Sequence, residues 1–286
     1  MRTLTLSILL LIITALPMQA VTPVVTDSQQ PAPPTASSTA GGIAVGERLK
    51  YNIYFHMGFI WATAGYGELS FVRDTRHGQP RLRGQLAAKS LSIVEHIMRV
   101  RDTLDCWFNA EMVPTEFRKA THEGNYNAIA HNHYTPYWRT QNATHTPRNV
   151  DSTHVTINRW RQKAKEAART EALRYTNPGI AYDMLSVFYT VRSLDYAKMK
   201  KGTRLHYVCY DGIKRQTIRV EYQGTARCEL RNDQKHDAYL IHLTFDTKGQ
   251  EATPLRVWLS TTPDHHPIKA IIALKRIGSV QCEIIE

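Results

Sequence analysis

Residues 255–284 read LRVWLSTTPDHHPIKAIIALKRIGSVQCEI, and this stretch decides the fold. Leu255, Val257 and Leu259 alternate with Arg256, Trp258 and Ser260; Ile268, Ala270, Ile272 and Leu274 repeat the period, and Val280, Cys282 and Ile284 close it. Successive side chains of a strand point to opposite faces, so a hydrophobic period of two predicts half-buried β-strands. Thr261–Pro267 and the glycine at 278 supply the turn residues between runs, which makes the stretch an antiparallel meander.

The same period extends through the chain. Leu49, Tyr51, Ile53 and Phe55 alternate with Lys50, Asn52, Tyr54 and His56. Strands are predicted at 61–71, 79–88, 99–108, 113–122, 125–134, 152–161, 203–210, 214–222, 226–231 and 238–246. This recurrence predicts a mainly β protein: a large curved antiparallel sheet, or an open barrel or sandwich. One segment breaks the period. After Asn177-Pro178-Gly179 and Asp183, residues Met184, Val187, Phe188 and Val191 fall at helical spacing, predicting one amphipathic helix over 180–196. Its apolar stripe needs a partner, and the concave side of the sheet is the expected one. Residues 90–98 fit a shorter helix or a continuous strand with a bulge.

The first twenty residues, MRTLTLSILLLIITALPMQA, read as a secretory signal peptide, with a basic Arg2, an apolar run from Leu4 to Leu16 and a small residue at Ala20. Residues 21–45 are rich in Pro, Ser, Thr, Ala and Gly and read as a flexible linker; residues 46–286 read as a single β-rich domain. No cysteine precedes Cys106, so a periplasmic protein without a lipoprotein anchor is expected, with no transmembrane segment in the mature chain. The net charge of +11 favours anionic lipid, acidic glycan or acidic envelope-protein partners over nucleic acid. The four cysteines, Cys106, Cys209, Cys228 and Cys282, form no C-x-x-C pair, and whether they bridge is left open.

Three segments carry a family resemblance: GERLKYNIYFHMGFIWATAGYGELSF (46–71), AYDMLSVFYTVRSLDY (181–196) and VWLSTTPDHHPIKAIIALKRIGSVQCEI (257–284). Together they resemble the bacterial exported proteins of domain-of-unknown-function family 3108. The resemblance implies a Gram-negative cell-envelope location and a β-rich fold, and no reaction. The turn at Thr261–Pro267 departs from the acidic, asparagine-rich stretch of similar sequences.

Candidate site residues come from several places. Gly65 and Gly67 weaken a strand and mark curvature or the floor of a ligand groove beside Trp61. Tyr189 and Arg192 on the helix are candidates for an anionic headgroup, with Asp183 as a helix cap. Tyr137 and Trp138, in YTPYW, read as an exposed aromatic loop. Of thirteen histidines, five lie between 122 and 154, at His122, His131, His133, His145 and His154. His131 and His133 share one strand face and are the candidate metal ligands. His265 and His266 are expected to be solvated, and Asp102 and Asp105 to sit on a solvated strand face or pair with arginine. No nucleophile elbow, zinc-protease helix, P-loop or dinucleotide fingerprint occurs, and no cofactor is implied. The resulting expectation is a non-enzymatic envelope protein that binds a lipid-like, glycan or protein partner. The alternative is a periplasmic hydrolase or metal-dependent enzyme built on the histidine cluster.

Overall fold

The computed structural model describes residues 39–40, 42–96, 99–139, 149–245, 254–274 and 278–285. The segment read as a signal peptide, most of the linker, and His145 lie outside the described residues.

A short hairpin, β1 (Thr39–Ala40) and β2 (Ile43–Ala44), precedes two meanders. The first comprises β3 (Glu47–Met57), β4 (Ile60–Arg76), β5 (Gln79–Ser90), β6 (Arg101–Phe108), β7 (Pro114–Glu123), β8 (Tyr126–Trp138), β9 (Val150–Lys163) and β10 (Arg169–Pro178). The second comprises β11 (Arg204–Asp211), β12 (Lys214–Glu229), β13 (Lys235–Phe245), β14 (Leu255–Ser260), β15 (Pro267–Leu274) and β16 (Gly278–Ile285). Helix α1 (Ser92–Glu95) is a single turn; helix α2 (Met184–Arg192) joins the meanders.

β3 to β16 form one antiparallel sheet of 14 strands, in the order β10-β9-β8-β7-β6-β5-β4-β3-β16-β15-β14-β13-β12-β11. The first and last strands of this sheet therefore pair at its middle, with Ile53 opposite Cys282, and the edges are β10 and β11. The chain leaves one edge, crosses the interior as α2 and enters the other edge. No ladder joins β10 to β11 among the described residues, but the sheet curls far enough for its edges to meet by other means. Tyr182 pairs with β11 in parallel, its N–H donating to Val208 and its carbonyl accepting from Tyr210. Asn132 Nδ2 on β8 donates to the Tyr210 carbonyl at 3.0 Å, and the Tyr175 hydroxyl on β10 donates to Ile213 at 3.0 Å.

Helix α2 is the core around which both halves pack. Leu185 and Tyr189 face the cluster formed by β3–β9, with Leu69, Phe71, Leu104 and Phe117, while Val187 and Val191 face Ile218, Val220, Ile241 and Val257 of the second meander. Burying each such side chain stabilises by about 1.5–3 kcal/mol, which is why so short a helix holds its place. Asp183 starts it: Oδ1 accepts from Leu185 N at 2.9 Å and Ser186 N at 2.8 Å, and Asp183 N donates to Ser186 Oγ, completing a capping box. Close docking of the helix needs Gly84 on β5, because a Cβ there would lie 2.2 Å from the Tyr189 ring.

Several expectations are corrected. The helix is shorter than 180–196, since Ile180–Tyr182 serve as a pairing segment and Ser193 ends it. Residues 214–222 and 226–231 are one strand with a bulge between Tyr222 and Gly224, so Cys209 and Cys228 lie on adjacent strands. All four cysteines are free thiols. Ile43, inside the stretch read as linker, is fully buried, and Gly46 N donates to Phe71 O, so packing begins before residue 46. β10 was not expected from the sequence: its inward positions, Glu171, Leu173, Tyr175 and Asn177, are half polar, with a polar residue at each end, and hide the period.

Candidate functional site

The interior is not filled to the same degree along its length. At the end where β14 turns into β15, Arg192 is fully buried and its guanidinium grips Glu47 through two 2.7 Å bonds, Nη1 to Oε1 and Nη2 to Oε2. It also donates to the carbonyls of Asp264 and His265. Burial opposes ionisation of Glu47, but hydrogen bonds from His266 and Arg192 hold its carboxyl below the usual range. The Tyr189 hydroxyl donates to Ser70 O at 2.7 Å. The polar groups of Tyr189 and Arg192 are therefore taken up in docking the helix. His265 and His266 are not solvated turn residues either: His265 Nδ1 lies 2.7 Å from the Arg192 carbonyl, and His266 Nε2 lies 3.0 Å from Glu47.

The other end, toward the β3–β4 hairpin tip, is hollow. A cavity of about 160 Å³ lies between the first turns of α2 and the sheet, lined by Ile53, Gly67, Ala88, Leu104, Met184 and Phe188 from one side and by Phe245, Leu255 and Ala270 from the other. The lining is apolar apart from the Cys282 thiol and the Tyr51 hydroxyl, which is already donated to Pro267 O at 2.9 Å. Small residues make the space: Gly67 and Ala88 are cross-strand partners, and neither offers a side chain long enough to reach α2.

A second cavity of about 210 Å³ lies at the same end, where the β11–β12 turn folds against β7–β9. Its walls carry Lys119, Arg159, Arg161 and Lys214, with Asp211 among them. Lys119 Nζ donates to Asp211 Oδ1 at 3.1 Å, both residues being buried. Burial raises the Asp211 carboxyl above its usual range, against the pull of Lys119. Arg159 bonds Glu171 through Nε at 2.7 Å. The apolar and cationic cavities adjoin, because Leu104 of the first and Lys119 of the second are direct cross-strand partners. Inward charges such as Glu47 and Lys119 were overlooked in the sequence. Each stands in phase with the apolar residues of its own strand, which is a readable sign of a buried partner.

The predicted site residues scatter. Gly67 alone lines the apolar cavity. Gly65 serves the sheet, since a Cβ there would come within 2.2 Å of Lys89 O. Trp61 stands on the convex face, stacked on His56 at 4.1 Å with the Arg231 guanidinium 4.4 Å from its ring centroid. Tyr137 is exposed against His154, and Trp138 is half-buried beside the second cluster. Of the histidines expected to cluster, His131 and His133 do come together, with ring centroids 4.2 Å apart. Asp102 and Asp105 are buried rather than solvated; Asp102 accepts from His122 N, and Asp105 from Gln85, with Arg118 3.7 Å away.

These features define a class: an open, barrel-like antiparallel sheet wrapped round one helix, hollow at one end. Residues 50–284 match the family described as protein of unknown function DUF3108, and the chain belongs to that family. Its fold is similar to the crystal structure of a β-barrel-like protein of domain of unknown function DUF1849 from Brucella abortus. The two share 8% identity with a TM-score of 0.50, over 85% of this chain and 97% of that one. No curated protein matches the chain. No described helix is long and apolar enough to cross a membrane.

Proposed function

We propose that this protein is exported to the periplasm and binds a lipid-like amphiphile there, without catalysing a reaction on it. The observation that carries the reading is the contact of two cavities of opposite chemistry at the Leu104–Lys119 pair. A cavity of about 150 Å³ lined by aliphatic and aromatic groups stays dry and takes up small apolar molecules. The 160 Å³ space beside Met184 and Phe188 therefore suits the end of an acyl chain. The neighbouring arginines and lysines suit an anionic head, since guanidinium forks bond paired oxygens. A glycan would leave the apolar space unfilled, and a protein partner would have no way into it.

The same end carries exposed apolar side chains. Phe59 at the β3–β4 tip is 94% exposed, and Met57, Ile60 and, on α1, Ile93 are exposed with it. An apolar tip beside the cavities supports uptake of the amphiphile at a membrane surface. The amino-terminal residues that read as a signal peptide support the location.

The test is calorimetric titration of the purified protein with lysophosphatidylglycerol and with lysophosphatidylcholine. Saturable binding is expected, tighter for the anionic lipid. Ala88→Phe, which fills the apolar cavity, should abolish binding without lowering Tm, and Lys214→Glu should remove the preference for the anionic head. Absence of saturable binding to either lipid, or unchanged binding by Ala88→Phe, would overturn the reading.

A further inference from the structure

The convex face holds a cluster that the amphiphile reading does not use. The long β4–β5 hairpin overhangs the sheet and is held down by Trp107 Nε1, which donates to Asp74 Oδ2 at 2.8 Å. The hairpin thus brings its turn residue, His77, over β7 and β8. Glu116 on β7 and His133 on β8 are direct cross-strand partners, and His131 lies two residues from His133 on the same face. Ligand atoms of Glu116, His131 and His133 all lie within 4.8 Å of one another. His131 Nε2 is 3.0 Å from Glu116 Oε2, and His77 Nε2 is 2.8 Å from Glu116 Oε1.

His77 is placed there at a cost. It occupies the first position of a two-residue turn with φ 51°, followed by Gly78 at φ 73°, a left-handed pair that favours Asn-Gly. A histidine there carries a conformational penalty of about 1 kcal/mol, yet it delivers an imidazole onto a buried carboxylate. The cluster therefore assembles two imidazoles and one carboxylate from two strands, and the turn brings a third imidazole onto the carboxylate.

We infer that Glu116, His131 and His133, with His77 as fourth donor, form a binding site for a divalent transition-metal ion of the zinc type. Three nitrogen donors and one carboxylate oxygen match the ligand types and number of a four-coordinate zinc site. Arg76 is the resident counter-cation: its Nε donates to Glu116 Oε2 at 3.0 Å, its Nη2 lies 3.5 Å from His131 Nε2, and its guanidinium lies 4.5 Å from the Trp107 ring centroid. Metal entry displaces this arm from the carboxylate, and the Trp107 face gives it a place to remain. The acid of the site, Glu116, is fifteen residues from His131 along the chain but directly opposite His133 across the ladder.

The experiment is titration of chelator-treated protein with zinc chloride, followed by calorimetry and by the shift in Tm. One ion per chain is expected, with a rise in Tm. His131→Gln/His133→Gln should weaken binding by about a hundredfold or more, beyond what loss of an outer-shell contact costs. Arg76→Ala should tighten binding, because it removes the competing cation; histidines elsewhere on the surface would not respond to that change. Absence of saturable binding, equal binding by the double variant, or no gain from Arg76→Ala would overturn the proposal. None of these results bears on the cavities, which lie inside the sheet.

Discussion

The two ends of helix α2 occupy opposite environments within one interior. At its carboxyl end Arg192 is paired with Glu47 through two bonds, and His266 lies against both Glu47 and Asp264. Its amino end faces an unfilled apolar cavity. The difference teaches where this fold invests in rigidity: one end anchors the helix against both halves of the sheet, and the other is free to stay hollow because the anchor does not depend on it. Two glycines show the same contrast. A Cβ at Gly84 would collide with the Tyr189 ring at 2.2 Å, whereas at Gly67 the nearest atoms are 3.7 Å away, in ordinary contact.

The comparison breaks most severely at Glu47. Removing it by Glu47→Ala leaves the buried Arg192 unpaired and should cost about 3–5 kcal/mol in urea unfolding. Replacing both charges together, as Glu47→Leu/Arg192→Met, should recover most of that loss; a double variant no better than the single would refute the anchor. Next in size, Gly84→Ala should destabilise by about 1–3 kcal/mol by forcing Tyr189 off its seat.

Asp183 sharpens the comparison through pH. Burial raises its carboxyl to about 7, opposed by bonds from Ser186 and Leu185, while Oδ2 has no hydrogen-bond partner. The unfolded chain releases this proton near pH 4, at the usual aspartate value of about 3.9. Between those values the folded state holds more protons than the unfolded state, so stability falls as pH rises from about 4 to 7 and levels off above. Asp183→Asn keeps an Oδ1 acceptor for the cap and should flatten that part of the stability curve; an unchanged slope would mean that another group titrates there. The smallest effect belongs to the hollow end. Gly67→Ala has space for its methyl and should change stability by no more than about 1 kcal/mol, on the stabilising side, as measured by Tm.

Much of the sheet is legible because inward and outward residues differ so plainly on β3, β14 and β15. The helix is legible for the same reason, and Asp183 announces its start. β10 is not, since its inward Glu171 and Asn177 pair with arginine and backbone instead of joining the core. The site is harder to read. Tyr189 and Arg192 look like ligand contacts on an isolated helix, and nothing local reveals that Glu47, 145 residues earlier, claims the guanidinium. Cavities are defined by what small residues omit, so Gly67 and Ala88 leave only a faint mark, and the apposition of Leu104 with Lys119 depends on strand register. The pairing of Glu116 with His133 depends on register in the same way.

The order of the strands also governs how the chain reaches this state. β3 precedes the rest of the 14-strand sheet along the chain, yet one of its flanks stays open until β16 arrives to pair Tyr51 with Ile284. Contacts so distant along the chain make folding slow, because the entropy of closing the loop is lost before the pairing rewards it. A nascent chain therefore carries an exposed β3 flank until β16 is made, and removal of β16 would leave that aggregation-prone flank at the centre of the sheet.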